Sequence, residues 1–348
     1  MVDVATVRMQ PSGHEFIVEP GETLLESALR SGLSVRYSCN SGTCGECKAR
    51  LISGELGKQQ PHDYVLTEKE KADRQFLMCR TTACGDMEIE ALEAKGIDDI
   101  PHQEITTSIS KLNPLADDVM ELQIRTPRSK TLWFLAGQHV NLAINDLPPS
   151  PRSIASCPCN GMLLHFHVRR DPEDPFAEYV FNDAKPRTAV EVEGPFGGVV
   201  LDEDSRRPLI FVAYETGFAA IKSLIEHAIS LDMLQPVRLY WLVAQPERHY
   251  LANFCRSWRE VIDDYVFTPL LCDAHSPLFD SLADSALPES AIERDLAQAC
   301  LQVASDIPDL SGYDVYISGA TSAIDTGRQI LLRHGLPADR LFISTLKS

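Results

Sequence analysis

Cys39, Cys44 and Cys47 stand in the run Y-S-C-N-S-G-T-C-G-E-C-K-A-R-L, and a fourth cysteine, Cys79, follows in F-L-M-C-R. Three thiolates spaced C-x4-C-x2-C with a distant fourth match the ligand spacing of a plant-type [2Fe–2S] cluster, where one loop wraps the metals and a later segment completes the set. Soft thiolates suit ferric iron, and a loop pressed against the cluster needs small residues so that amides can reach the sulfurs. Ser41, Gly42, Thr43 and Gly45 meet that need. A structural zinc site would show two close ligand pairs, and here the fourth ligand stands alone. Cys84, in A-C-G-D-M, competes for the fourth place but lies where the chain turns into its next strand, and reads as a packed thiol.

The elements that must hold this loop are legible around it. Strands are predicted over residues 5–9 and 15–18, then a helix opening at Thr23, which can cap it, with Leu24, Leu25 and Leu29 on the apolar face. Lys95-Gly96-Ile97-Asp98-Asp99-Ile100-Pro101 reads as a linker. Alternating strands then follow over residues 104–112, 119–125, 139–144 and 163–169, which suggests a small antiparallel barrel. From Pro208 the pattern changes to an apolar strand, a helix over 219–229, and further strands at 237–243 and 315–318, the mark of an open parallel sheet. The expected class is α+β multidomain: a β-grasp-like domain at 1–95, a barrel at 102–204 and an α/β domain at 205–348.

With 348 residues the chain can bury two or three cores, and its net charge of -18 argues against direct nucleic-acid binding, which draws its affinity from Lys and Arg. Its acidity suits a protein partner or solubility. The opening M-V-D-V-A-T-V-R-M-Q lacks a signal pattern and no apolar run approaches a membrane span, so a reducing cytoplasm is expected.

The order of hairpin, helix and cluster loop resembles the β-grasp ferredoxin domain. Gly137-Gln138-His139-Val140, Arg152-Ser153-Ile154-Ala155-Ser156, His165-Phe166-His167-Val168-Arg169, Gly194-Pro195-Phe196-Gly197 and Tyr316-Ile317-Ser318-Gly319 follow in order. As an ordered set they resemble the reductase components of aromatic-ring dioxygenases and multicomponent monooxygenases, within the ferredoxin–NADP reductase-like superfamily. That resemblance implies FAD in the barrel, held by Arg152, Ser153, Ile154, Ala155, Ser156, His167, Val168, Arg169 and the amides of Phe176 and Ala177. It also implies a redox partner protein, a ferredoxin or an oxygenase component. The family's flavin motif is R-x-Y-S, whereas this chain reads Ser150-Pro151-Arg152-Ser153. Two readings of Arg152 are open: it reaches the FAD phosphates, or its guanidinium lies over the flavin ring. The hydroxyl that usually opens the second phosphate contact is absent from Pro175-Phe176-Ala177-Glu178-Tyr179.

The nicotinamide positions depart further. The family's G-G-T-G turn has become Tyr214-Glu215-Thr216-Gly217, its W-G-A-R is Trp241-Leu242-Val243-Ala244, and its C-G-P is Ser318-Gly319-Ala320. Losing a phosphate-binding arginine costs about 1.5–3 kcal/mol, and an added carboxylate weakens binding further. NAD(P)H oxidation is accordingly expected to be weak or absent, and no residue is assigned a catalytic role. The pattern resembles a regulatory branch of the family, in which a redox-responsive protein controls catabolic gene expression through a partner such as a transcription factor. The ordinary electron-transfer reductase is the alternative. Cys157-Pro158-Cys159 reads as packing rather than a redox pair, His227 has no metal partner at helical spacing, and Asp202–Asp204 reads as a solvated turn.

Overall fold

The computed structural model describes residues 4–282, 291–320 and 324–346. The first unit is a mixed sheet of β1 (Ala5–Gln10), β2 (Glu15–Val18), β3 (Lys48–Ser53), β5 (Gln75–Leu77) and β7 (Met87–Ala91) in the order β2-β1-β7-β3-β5; β4 (Leu56–Gln59) and β6 (Thr81–Ala83) form a separate ribbon. β1 pairs with β7 in parallel and the other neighbours are antiparallel. Alternation in β1 buries Ala5, Val7 and Met9 on one face. Helix α1 (Leu24–Arg30) covers them with Leu24, Leu25 and Ala28. Thr23 starts that helix through a reciprocal capping box with Glu26, and a second box, Thr67 with Glu70, starts the short α2 (Glu68–Ala72).

The second unit is an antiparallel sheet in the order β11-β10-β13-β8-β9-β12, built from β8 (Gln103–Ala116), β9 (Val119–Arg125), β10 (His139–Ala143), β11 (Ser150–Ser153), β12 (Leu163–Arg169) and β13 (Ala189–Phe196). Its two edges meet just beyond β11, where the Ala155 amide donates to the His165 carbonyl at 2.7 Å. That bond curls the sheet into a barrel around Leu122, Val140, Phe166 and Val192. Helix α3 (Pro175–Asn182) plugs one end with Phe176, Ala177 and Val180.

The third unit is a five-stranded parallel sheet, β16-β15-β14-β17-β18, comprising β14 (Leu209–Tyr214), β15 (Val237–Val243), β16 (Tyr265–Leu271), β17 (Asp314–Ala320) and β18 (Leu341–Leu346). Helices α4 (Phe218–Ser230) and α5 (Ala252–Ser257) contribute to one core, while α6 (Ala291–Asp306) and α7 (Ile324–Arg333) contribute to the other. Strand order reverses between β14 and β17. In doubly wound sheets that reversal opens a crevice at the strand C-termini, and here Tyr214 to Gly217 and Ser318-Gly319 line it. No helix among the described residues is long and apolar enough to cross a membrane.

The three units are locked together. The Tyr37 hydroxyl, two residues before Cys39, accepts the Gly161 amide at 3.0 Å, and the Thr131 amide donates to the Ser38 carbonyl at 2.8 Å. Lys222 and Ser223 of α4 donate to the carbonyls of Ala155 and Ser156 at 3.0 and 2.8 Å.

Candidate cluster, flavin and nucleotide sites

The cluster loop brings all four predicted cysteines together. Cys39 and Cys44 sulfurs lie 3.1 Å apart, and the Cys47 and Cys79 sulfurs are in hydrogen-bonding contact. Amide and hydroxyl donors converge on them: Thr43 Oγ1 and the Cys44 amide on Cys39 Sγ, and the Glu46 amide on Cys44 Sγ, each at 3.4 Å. Burial pushes the Cys39 thiol up, but the hydrogen bonds from Thr43 and Cys44 outweigh it and bring it down to about 6. Gly42 and Gly45 hold left-handed backbone, φ 76° at both, and a Cβ at Gly45 would lie 2.3 Å from the Tyr64 ring. Four convergent sulfurs ringed by donors fit a [2Fe–2S] cluster, which supplies a one-electron couple when bound. Cys84 is exposed, whereas Cys79 is buried beside Cys47.

On the barrel, Arg152, Phe176 and Ala177 meet at one point, the N-terminus of α3, and an acidic side chain is already there. Asp174 caps the helix, its Oδ1 accepting the amides of Phe176 and Ala177 at 2.9 and 3.3 Å. Its Oδ2 pairs with the Arg152 guanidinium and accepts from Ser150 Oγ at 3.1 Å. Burial would raise this carboxyl, but the adjacent guanidinium holds it below the ordinary range. The arginine also lies over the Phe176 ring, 5.4 Å from its centroid. This donor set, a guanidinium with two helix-end amides, fits a diphosphate in kind. A diphosphate would have to displace the Asp174 carboxylate from the same donors. Arg152 Nε is buried without a partner among the described residues.

Of the remaining predicted flavin residues, every one but Arg169 is buried. Ile154, Ala155 and Val168 are buried; Ser153 is register-paired with His139, and Arg169 lies at the partly exposed end of β12. Ser156 Oγ accepts the His165 amide at 3.3 Å. His167 faces the third unit: its Nδ1 bonds the Tyr250 hydroxyl at 3.0 Å and its ring stacks toward Phe218 at 6.2 Å, while Nε2 has no partner among the described residues. Complete burial, with Lys222 nearby, pushes His167 down to about 3, so it is neutral at physiological pH. Phe218 stacks on Trp241 at 3.9 Å and 14°, which extends this aromatic column into the parallel sheet.

At the nucleotide crevice, Glu215 has left-handed backbone, φ 50°, and is only 5% exposed. Its carboxylate accepts from the Ala244 amide at 2.9 Å and from Arg248 at 3.1 Å, and Arg248 also pairs with Asp118 of the barrel at 2.8 Å. Sequence reasoning missed Arg248. It places a guanidinium near the position where Ala244 removed one, and Glu215 and Asp118 already engage it. Tyr214 lies against Gly319, whose added Cβ would stand 3.1 Å from Tyr214 Cβ, and donates its hydroxyl to Asp295 at 3.0 Å. Gly217 is fixed by space, since a Cβ there would lie 2.5 Å from the Ser318 carbonyl.

A cluster-binding β-grasp unit, a closed barrel and a doubly wound sheet, in that order and docked on one another, define the class of ferredoxin-reductase-like iron–sulfur proteins. Comparison with known proteins bears this out. Residues 7–84 match the 2Fe-2S iron-sulfur cluster binding domain family. The chain is 30% identical to CDP-6-deoxy-L-threo-D-glycero-4-hexulose-3-dehydrase reductase of Yersinia pestis over 97% of its own length and 96% of the relative's, and it belongs to this family of ferredoxin-domain-containing reductases. It is 29% identical to terephthalate 1,2-dioxygenase reductase component 2 of Comamonas sp over 77% of this chain and 79% of that protein. In fold it is similar to the Amycolatopsis cytochrome P450 reductase GcoB, with a TM-score of 0.61 at 24% identity over 99% of each chain.

Proposed function

We propose that this protein is an electron-transfer iron–sulfur flavoprotein, a reductase component that delivers single electrons through its cluster to an oxygenase component or its ferredoxin. The observation that carries this reading is the docking of the cluster loop on the barrel through Tyr37 and Thr131, which fixes the two candidate redox sites in one body. The relatives named as reductases over most of the chain support it. A bound FAD would supply the conversion between two-electron and one-electron chemistry. Arg152 and the amides of Phe176 and Ala177 would hold its diphosphate once Asp174 moves, and the neutral His167 offers Nε2 as a further polar contact. Dividing the chain at 1–95, 102–204 and 205–348 assigns one cofactor task to each part.

Glu215 and Tyr214 favour weak NAD(P)H entry, because a buried carboxylate already holds the donors a pyrophosphate would use. The same feature favours a second reading. Electrons would enter from a reduced partner, and the protein would act as a redox-responsive regulator of catabolic genes through a transcription factor. In that respect the chain resembles ThnY, the iron–sulfur flavoprotein associated with regulation of tetralin degradation. An anaerobic titration of the whole protein with NADH, following flavin and cluster bleaching, separates the cases. Dithionite should reduce both chromophores; NADH should do so slowly and only at millimolar concentration, and Tyr214→Gly with Glu215→Gly should speed it at least ten-fold. Full reduction of wild type within seconds at sub-millimolar NADH would remove the weak-entry reading and leave the ordinary reductase. A protein with no dithionite-reducible chromophore would end the electron-transfer proposal.

A further inference from the structure

Directly after the flavin motif the chain carries two thiols that the functions above do not use. Cys157 follows Ser156 directly, and Cys159 lies one residue beyond Pro158. The Cys159 amide donates to Cys157 Sγ at 3.4 Å, and the two side chains are in hydrogen-bonding contact. A third group comes from a different unit. His227 on α4 is 1% exposed, binds Glu203 through Nε2 at 3.0 Å, and sets its imidazole near the Cys157 sulfur, whose thiolate it favours. Its other nitrogen, Nδ1, has no hydrogen-bond partner among the described residues, and the Cys157 sulfur lies 3.8 Å from the Ser230 hydroxyl. Glu203, His227 and Cys157 are therefore neighbours as carboxylate, imidazole and thiol, a set that favours an imidazolium near a thiolate.

We propose that Cys157 and Cys159 form a peroxide-responsive dithiol, in which Cys157 is the attacking thiolate, Cys159 the resolving thiol, and His227 with Glu203 positions the first. The Cys157 thiolate attacks one oxygen of hydrogen peroxide, the O–O bond breaks, and the departing hydroxide takes a proton to become water. The sulfenic acid at Cys157 is then attacked by Cys159, a disulfide forms, and a second water leaves. Two thiols and one peroxide give one disulfide and two waters. The imidazole near it marks Cys157 as the thiol that reacts first. Contact with Cys159 does most to favour the thiolate of Cys157, and despite burial His227 adds to this, bringing Cys157 down to about 4; the contact between the two thiols pushes Cys159 up. Cys157 is 9% exposed and Cys159, beside it, is partly exposed. The site also has a readout in the fold. Two residues past Cys159, the Gly161 amide binds the Tyr37 hydroxyl at the root of the cluster loop, and one residue before Cys157 the Ser156 carbonyl is held by Ser223.

The test uses the whole protein with its cluster, treated with one equivalent of hydrogen peroxide, quenched by alkylation and read by peptide mass spectrometry. The exposed Cys84 is an internal competitor. The Cys157–Cys159 disulfide should form at least ten times faster than Cys84 oxidises. In Cys159→Ser, dimedone should trap sulfenic acid at Cys157; in Cys157→Ser, Cys159 should stay unlabelled. His227→Gln should slow disulfide formation ten-fold or more with iron content and circular dichroism unchanged. Where His227→Gln fails to fold, Glu203→Gln, on a partly exposed side chain, should slow it in the same direction. Oxidation of Cys84 ahead of the pair, dimedone at Cys159, or unchanged rates in the folded His227 or Glu203 variants would each overturn the proposal.

Discussion

At the scale of single residues, the cluster ligands and their competitor are separated by burial. Cys79→Ser should lose the cluster, since it removes a buried thiolate that faces Cys47, while Cys84→Ser should keep it because that thiol points to solvent. Iron and sulfide content with the visible spectrum checks both. Arg152 is bound to Asp174 in the folded chain, so the two substitutions should act in opposite directions on flavin. Arg152→Ala removes a charge-assisted donor and should weaken FAD retention by roughly ten-fold, more than Ser153→Ala, which removes one neutral hydroxyl. Asp174→Asn keeps a cap for α3 but gives up the competing charge, and should raise retention. Flavin content after gel filtration reads all three. The four cysteines were legible in the sequence because ligand spacing within a loop is local. Asp174, Arg248 and the nearness of His227 to Cys157 were not, because each depends on which side chains the fold brings together.

Strands and helices carry the next level of argument. Across β9 and β12, Glu121 bonds His165 Nδ1 at 3.1 Å and also accepts from Gln123 at 2.8 Å. The histidine contact, the largest cause, draws Glu121 down to about 2 against the ordinary value of 4.5. A carboxyl lowered on folding stabilises fully above its unfolded pKa, and this contribution is lost as pH falls through the folded value, so the window runs from about 4.5 down to about 2. Glu121→Gln should therefore cost stability at neutral pH, on the order of 1 kcal/mol, and flatten the acid limb of the thermal melting profile between those values. Calorimetry across that range checks it; an acid limb unchanged from wild type would dissociate Glu121 from barrel stability. The sequence showed the helix cap at Thr23 and the alternation of β1, β9 and β12, since period and capping are local. It did not show β16 or β18. Pro269 interrupts the first, and the second, L-F-I-S-T-L, does not alternate cleanly between apolar and polar residues.

For the whole molecule, the main determinant is how the units meet. Tyr37 is 5% exposed, and burial pushes its hydroxyl up to about 12, so it stays protonated and can accept the Gly161 amide. Tyr37→Phe leaves that amide buried and unpaired, a cost of about 1–3 kcal/mol, and should loosen the cluster unit from the barrel. Proteolysis between residues 95 and 102 should rise several-fold, and internal electron transfer after photoreduction should slow; unchanged cleavage and transfer would remove Tyr37 from the interface argument. One consequence of the Asp174 arrangement concerns time rather than affinity. In a barrel whose Asp174 engages the Phe176 and Ala177 amides and Arg152, those groups do not need a dinucleotide to be partnered. On the proposed reading, loading is then an exchange reaction, whose rate at saturating flavin reaches a ceiling set by how often a single aspartate side chain swings clear of Arg152.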